Sequence, residues 1–231
     1  MPPAPRGARA RALKAVERLE AIYPAATELE HRSAIEMVIA TILSAQTTDR
    51  SVNLVTPELF RRYPTAPALA AADPADVERL IKPTGFFRAK AKAIISCAGQ
   101  ITDRFGGEVP VRMEDLVTLP GIGRKTANVI LGVAFNVPGF AVDTHVTRLT
   151  NRLGLVATRD PAKIERYVTK MIPPSAWTGF SLRLILHGRR ICVARRPRCE
   201  ECVLNDFCPS SSVLPRRGGR AAATTPSEHT F

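Results

Sequence analysis

No stretch of the chain alternates apolar and polar residues over four or more positions between turn residues, whereas apolar residues recur at helical spacing through most of it. A sheet-based core is therefore excluded, and an all-α protein is predicted. Ala12, Val16, Leu19 and Tyr23 make one apolar stripe that Pro24 stops. Ser33 and Glu36 form a capping box ahead of Met37, Val38, Ile39, Ile42 and Leu43. Asp49 is expected to cap a helix running to about Arg62, Asp73-Pro74 opens another, and residues 89–104 supply a longer one. Asp160-Pro161 starts a further helix that Pro173-Pro174 must end.

Charge narrows the class of partner. Lys and Arg number 33 against 21 Asp and Glu in 231 residues, a formal charge of +12 that calls for an anionic partner. With 45% hydrophobic residues the chain is a folded domain rather than a disordered basic tail. No apolar run approaches the roughly 18 residues of a membrane span, and MPPAPRGARARALK carries basic residues without an apolar stretch behind them. Neither secretion nor membrane insertion is expected, and the expected location is the cytoplasm, with nucleoid association in a bacterium. Residues 210–231, with SSS, RRGGR and AAATTP, read as a disordered basic tail.

Residues 117–152 are the most informative. A short helix ends before Pro120, Gly121-Ile122-Gly123 makes a tight turn, and Arg124 opens a second helix whose Val129, Ile130, Val133 and Ala134 are apolar. The pattern is a helix-hairpin-helix over about 113–135. Glycines let a backbone approach another molecule closely, and free amides at a helix start bind phosphate oxygens. An ordinary αα-hairpin would share the bare G-x-G, but LPGIGRKTA in so basic a chain favours phosphate binding, with Arg124 beside the turn.

Four of the five cysteines fall in C-x6-C-x2-C-x5-C: Cys192, Cys199, Cys202 and Cys208. Cys97 sits in the apolar run of the 89–104 helix and reads as a small buried hydrophobe. The four thiols can bind zinc, hold an iron–sulfur cluster or pair as two disulfides. Disulfides fit poorly without a secretion signal. A single C-x2-C with wide flanking loops suits a larger object such as a four-iron cluster, and zinc stays open on spacing alone. Arg195, Arg196 and Arg198 give the first loop a basic lobe suited to phosphate.

Taken together, Ile42-Leu43-Ser44-Ala45-Gln46-Thr47-Thr48-Asp49, LPGIGRKTAN, AVDTHV, LILHGR and the four cysteines closely resemble the endonuclease III family, iron–sulfur DNA glycosylases of the helix-hairpin-helix superfamily, over residues 13–208. The resemblance implies two lobes: a six-helix barrel over 32–140, and a cluster lobe assembled from 6–31 and 141–209. It also implies a four-iron, four-sulfur cluster on the cysteines, and damaged double-stranded DNA as partner of a monomer. Lys125 matches the family's nucleophile and Asp143 its essential carboxylate; a lysine amine can displace a base at C1′ and leave a Schiff base. Asp143 also stands where an N-cap should precede the helix from Thr144. Gln46 matches the glutamine that fills the gap left by an extruded nucleotide. Phe86 aligns with the apolar wedge, where leucine is commoner, and Phe87 is expected to be the buried one of the pair. His145 is expected to be structural or to contact phosphate.

The activity so implied is a bifunctional glycosylase and abasic-site lyase acting on oxidised pyrimidines. A monofunctional adenine-type glycosylase would lack the lysine at 125 and carry a further C-terminal domain. A noncatalytic DNA-binding module would bind an abasic duplex without nicking it.

Overall fold

The computed structural model describes residues 5–213, so the expectation of a disordered tail lies largely outside the described residues. Within them the protein is all-α, with eleven α-helices, three short 3-10 turns and no strand. In chain order the helices are α1 Ala8–Glu20, α2 Ala34–Leu43, α3 Asp49–Arg62, α4 Ala66–Ala70, α5 Pro74–Ile81 and α6 Phe87–Phe105. They continue with α7 Met113–Leu116, α8 Arg124–Ala134, α9 Thr144–Arg152, α10 Pro161–Thr169 and α11 Trp177–Arg190.

The caps explain most boundaries. Ser33 Oγ accepts from Glu36 N, while the Glu36 carboxylate reaches back to Arg32 N at 2.6 Å, one residue beyond the usual capping box. Asp73 and Asp160 each accept from amides of the helices that Pro74 and Pro161 open. One expected cap is displaced. Thr48, not Asp49, caps α3, its hydroxyl accepting from Ser51 N at 3.2 Å. Both residue types cap well, and Asp49 is freed to pair with Arg189 at 2.7 Å.

Burial divides into two cores. The first gathers residues from Leu29 to Leu131 together with Ala141, and α2 runs through it with every residue from Met37 to Leu43 buried. A helix apolar on all sides belongs at a centre. The second core joins Ala8, Ala12, Ala15, Leu19 and Tyr23 at the N-terminal end to Phe140, Val142 and buried residues of α9, α10 and α11. Phe140 and Phe180 meet there with ring centroids 6.2 Å apart. The chain changes core at Phe140-Ala141-Val142, immediately before α9.

The two cores touch where α8 meets α11. A Cβ on Gly132 would overlap the Thr178 side chain, so only glycine allows this approach. Thr178 cannot swing aside freely, because its hydroxyl bridges Gly139 N and Gly139 O, each at 3.2 Å. Gly132→Ala should lower stability by about 1–3 kcal/mol through overpacking. Thermal melts should show that loss, and Gly132→Ala/Thr178→Ala should recover much of it; equal melting of Gly132→Ala and the parent would refute the contact.

Candidate active site and thiol loop

The contact between cores leaves a cleft of about 110 Å³, walled by Thr41 and Ser44 at the end of α2, by α8, and by Leu182, Ile185 and Leu186 of α11. Lys125 and Asp143, from separate motifs, both line it. Lys125 lies in the first turn of α8 and is exposed. It has no hydrogen-bond or ion-pair partner among the described residues. Asp143 caps α9: its Oδ1 accepts from Val146 N at 2.8 Å, which fixes the carboxylate at the cleft wall. Arg189, at the cleft edge, bridges Glu28 and Asp49 at 2.6 and 2.7 Å and ties α11 to the start of α3.

The hairpin ahead of Lys125 has the predicted form. Gly121 adopts φ 79, a left-handed conformation that disfavours side chains, and a Cβ there would press on Ile42 at 3.2 Å. Ile122 is buried between two exposed glycines. Gly123 caps α8 without a side chain, so the amides of the first turn face outward unsatisfied by any cap. Arg124 is not free: its guanidinium holds Glu165 of α10 through two bonds of 2.8 and 2.7 Å.

Gln46 and Phe86 sit on two neighbouring loops, both exposed and both left-handed, with φ 53 and 47. Phe86 is 70% exposed, whereas Phe87 packs against the first core. His145 Nδ1 accepts from the Arg148 guanidinium at 3.1 Å and lies against α11, where a Cβ on Gly188 would meet it at 2.9 Å. Its position supports packing between α9 and α11.

All four loop cysteines line a single small cavity, and none is in a disulfide. Among the described residues no three His, Cys, Asp or Glu side chains converge as a lone metal ion requires. Four thiols around a shared cavity do fit a multi-iron cluster. Burial pushes the Cys202 thiol up to about 11, the Leu204 amide opposes this, and the other three sulfurs add to the rise. A positively charged group among them is what would hold them as thiolates. His187, buried and drawn down to about 4 by desolvation, lies 3.3 Å from Cys202 Sγ and 3.3 Å from Tyr23 Oη. Arg195, Arg196 and Arg198 are exposed on the loop, with Arg198 3.7 Å from Glu201.

Sequence reasoning missed the arginines behind this loop. Arg152 donates to Val193 O and Ala194 O at 2.8 Å each and to Cys192 Sγ at 3.3 Å, while Arg148 holds Gly188 O at 2.9 Å and Cys192 O at 3.1 Å. Arg11 holds Leu153 O and Gly154 O. Each bond joins residues 40 or more positions apart, so no local pattern announces them.

The fold is that of the HhH-GPD superfamily of base excision DNA repair proteins, whose family model matches residues 39–174. A second model, the iron-sulfur binding domain of endonuclease III, matches residues 192–208. The chain belongs to the endonuclease III family and is a base excision repair DNA glycosylase with abasic-site lyase activity, carrying a 4Fe–4S cluster. It is similar to endonuclease III of Synechocystis sp., with 52% identity over 84% of this chain and 90% of that protein. To Escherichia coli endonuclease III it is 39% identical over 87% of this chain and 95% of that protein. An endonuclease III solved in a non-covalent complex with DNA superposes with a TM-score of 0.82 at 38% identity, covering 88% of this chain and 96% of the other. A thermostable thymine-DNA glycosylase shares the fold, with a TM-score of 0.79 at 20% identity over 89% of this chain and 97% of the other.

Purified protein should be yellow-brown, with about four irons per chain. Arg152→Met, which frees two loop carbonyls and one sulfur, should speed loss of visible absorbance under a chelator. A colourless preparation holding one zinc would contradict the cluster, and unchanged bleaching would show that Arg152 does not brace the loop.

Proposed function

We propose that Lys125 is the nucleophile and Asp143 its carboxylate partner in removing oxidised pyrimidines from double-stranded DNA. The observation that carries this reading is their meeting in one cleft between the cores, although one comes from the hairpin and the other from the α9 cap. The neutral amine of Lys125 attacks C1′, the bond from C1′ to the base breaks, and the electron pair leaves with the base. Ring opening gives a Schiff base. Loss of a C2′ proton then breaks the C3′–oxygen bond, cutting the strand on the 3′ side, and water releases the lysine. Asp143, oriented by its cap bond, stabilises cationic character at the sugar and assists proton transfer to and from Lys125.

The target nucleotide must leave the duplex, at a cost of a few kcal/mol. Gln46 and Phe86 offset it by filling the gap, Phe86 by stacking on bases as well as by occupying space. Phosphate is gripped by the Gly121–Gly123 turn with the amides of α8, and by Arg195, Arg196 and Arg198. Arg124, paired with Glu165, contributes to that grip by bracing α8 on α10 as much as by its own charge. When bound, the 4Fe–4S cluster supplies thiolate cross-links that staple the 192–208 loop. The two cores support a division into a hairpin lobe over 32–140 and a cluster lobe from 6–31 and 141–209. The protein acts as a monomer in the cytoplasm, on nucleoid DNA in a bacterium; among the described residues no helix is long and apolar enough to cross a membrane.

Borohydride should trap the parent protein on a duplex bearing an oxidised pyrimidine, and Lys125→Ala should trap none while still binding. Trapping by Lys125→Ala, or none by the parent, would overturn the mechanism. Binding should weaken about 10³–10⁵-fold between 50 and 200 mM salt for six to ten phosphate contacts.

A further inference from the structure

Lys90 is the one lysine that the fold buries among the described residues, at 6% exposure. It forms no ion pair with any described carboxylate, and burial lowers its pKa from the ordinary lysine value. Its ammonium has two partners instead. It donates to Thr47 Oγ1 at 2.6 Å and to Thr84 O at 2.8 Å. The Thr47 hydroxyl in turn donates to Thr84 O, which closes a three-membered knot. A buried ammonium without an anion is costly, and an apolar side chain would fill the same space without that cost. What the ammonium adds is a directed link between two loops.

Those loops carry Gln46, directly before Thr47, and Phe86, two residues after Thr84. Both residues hold left-handed backbone that residues with side chains disfavour, and among the described residues only Asn136 and Arg196 join them there outside glycine. Such conformations persist where surrounding contacts over-determine them. Thr84, 3% exposed, is anchored further by its own hydroxyl on Ile81 O at 2.8 Å. Thr47 also lines the cleft that holds Lys125 and Asp143, so the knot touches both the gap-filling side and the base-receiving side.

We propose that Lys90 is a positioning residue that locks the Gln46 and Phe86 loops at one spacing, so that the two side chains enter the duplex as a coupled pair. The proposal rests on the reading of Gln46 and Phe86 as gap-fillers. Coupling is what a wedge pair needs, because two loops that moved independently would each lose contacts while the other entered.

The test compares single-turnover base removal on two substrates: a full duplex with the lesion paired, and the same strand annealed so that a gap lies opposite the lesion, leaving nothing to displace. The duplex-to-gap rate ratio isolates the wedge. Lys90→Met should lower that ratio about 10-fold, the loss expected for charge-assisted bonds, with melting temperature unchanged or raised. Gln46→Ala and Phe86→Ala should each lower it too, and the Lys90→Met/Phe86→Ala double variant should fall short of the product of the single effects. A lowered ratio for the two alanine variants with an unchanged ratio for Lys90→Met would refute the knot and leave the wedge reading intact. Unchanged ratios for both alanine variants would refute the wedge reading and the proposal with it. Equal loss on both substrates would make Lys90 merely structural. Thr47→Val, which removes the shared hydroxyl but keeps the shape, should reproduce Lys90→Met and decides the matter if that variant does not fold.

Discussion

The cleft lined by Lys125 and Asp143 depends on the near-contact of two helices from different cores. α8 carries Lys125 and belongs to the first core, whereas α11 belongs to the second, and they approach at Gly132 against Thr178. Because the chain crosses between cores at residues 140–142 and Asp143 follows at once, the carboxylate emerges at the seam that this contact creates. A methyl group on Gly132 would press against Thr178 at that seam without altering Lys125 or Asp143. Packed interfaces transmit such changes because they are as dense as crystals of small molecules.

The backbone organisation was legible because helices are written locally. Periodic apolar residues, Ser and Asp caps and well-placed prolines fix α2, α5, α9 and α10 within a few positions. Thr48 took the cap expected of Asp49 because neighbouring residues of equal capping ability cannot be ranked without knowing what else claims them, and Arg189 claims Asp49. Cys97 followed its apolar setting into the core, where burial pushes its thiol up to about 12.

The site was legible in its motifs and illegible in its supports. The cysteines announce themselves through spacing, and Lys125 and Asp143 through the motifs that carry the family resemblance. Lys90 does not: within Arg88-Ala89-Lys90-Ala91-Lys92 it looks like any solvated base on a helix, and only the approach of two distant loops buries it. Arg148 and Arg152 likewise read as surface charge on α9, yet they hold the backbone of a loop 40 or more residues away. Part of the +12 charge is therefore internal bracing, and Arg124 with Glu165 is already neutralised within the protein.

The second core has a consequence for how the chain is made. α1 is synthesised first, but its partners in that core are the last helices to emerge; Tyr23 meets His187 across 164 positions. The first core contains residues that are contiguous in the chain and can close while synthesis continues. Until α11 arrives, the stripe of Ala8, Ala12, Ala15 and Leu19 lacks its α11 partners, and Arg152 on α9 has no loop to hold, because residues 192–208 follow α11. The four cysteines therefore come together only after α11 has been made, and a chain halted between α10 and α11 holds every residue of the first core while the second still lacks its last helix.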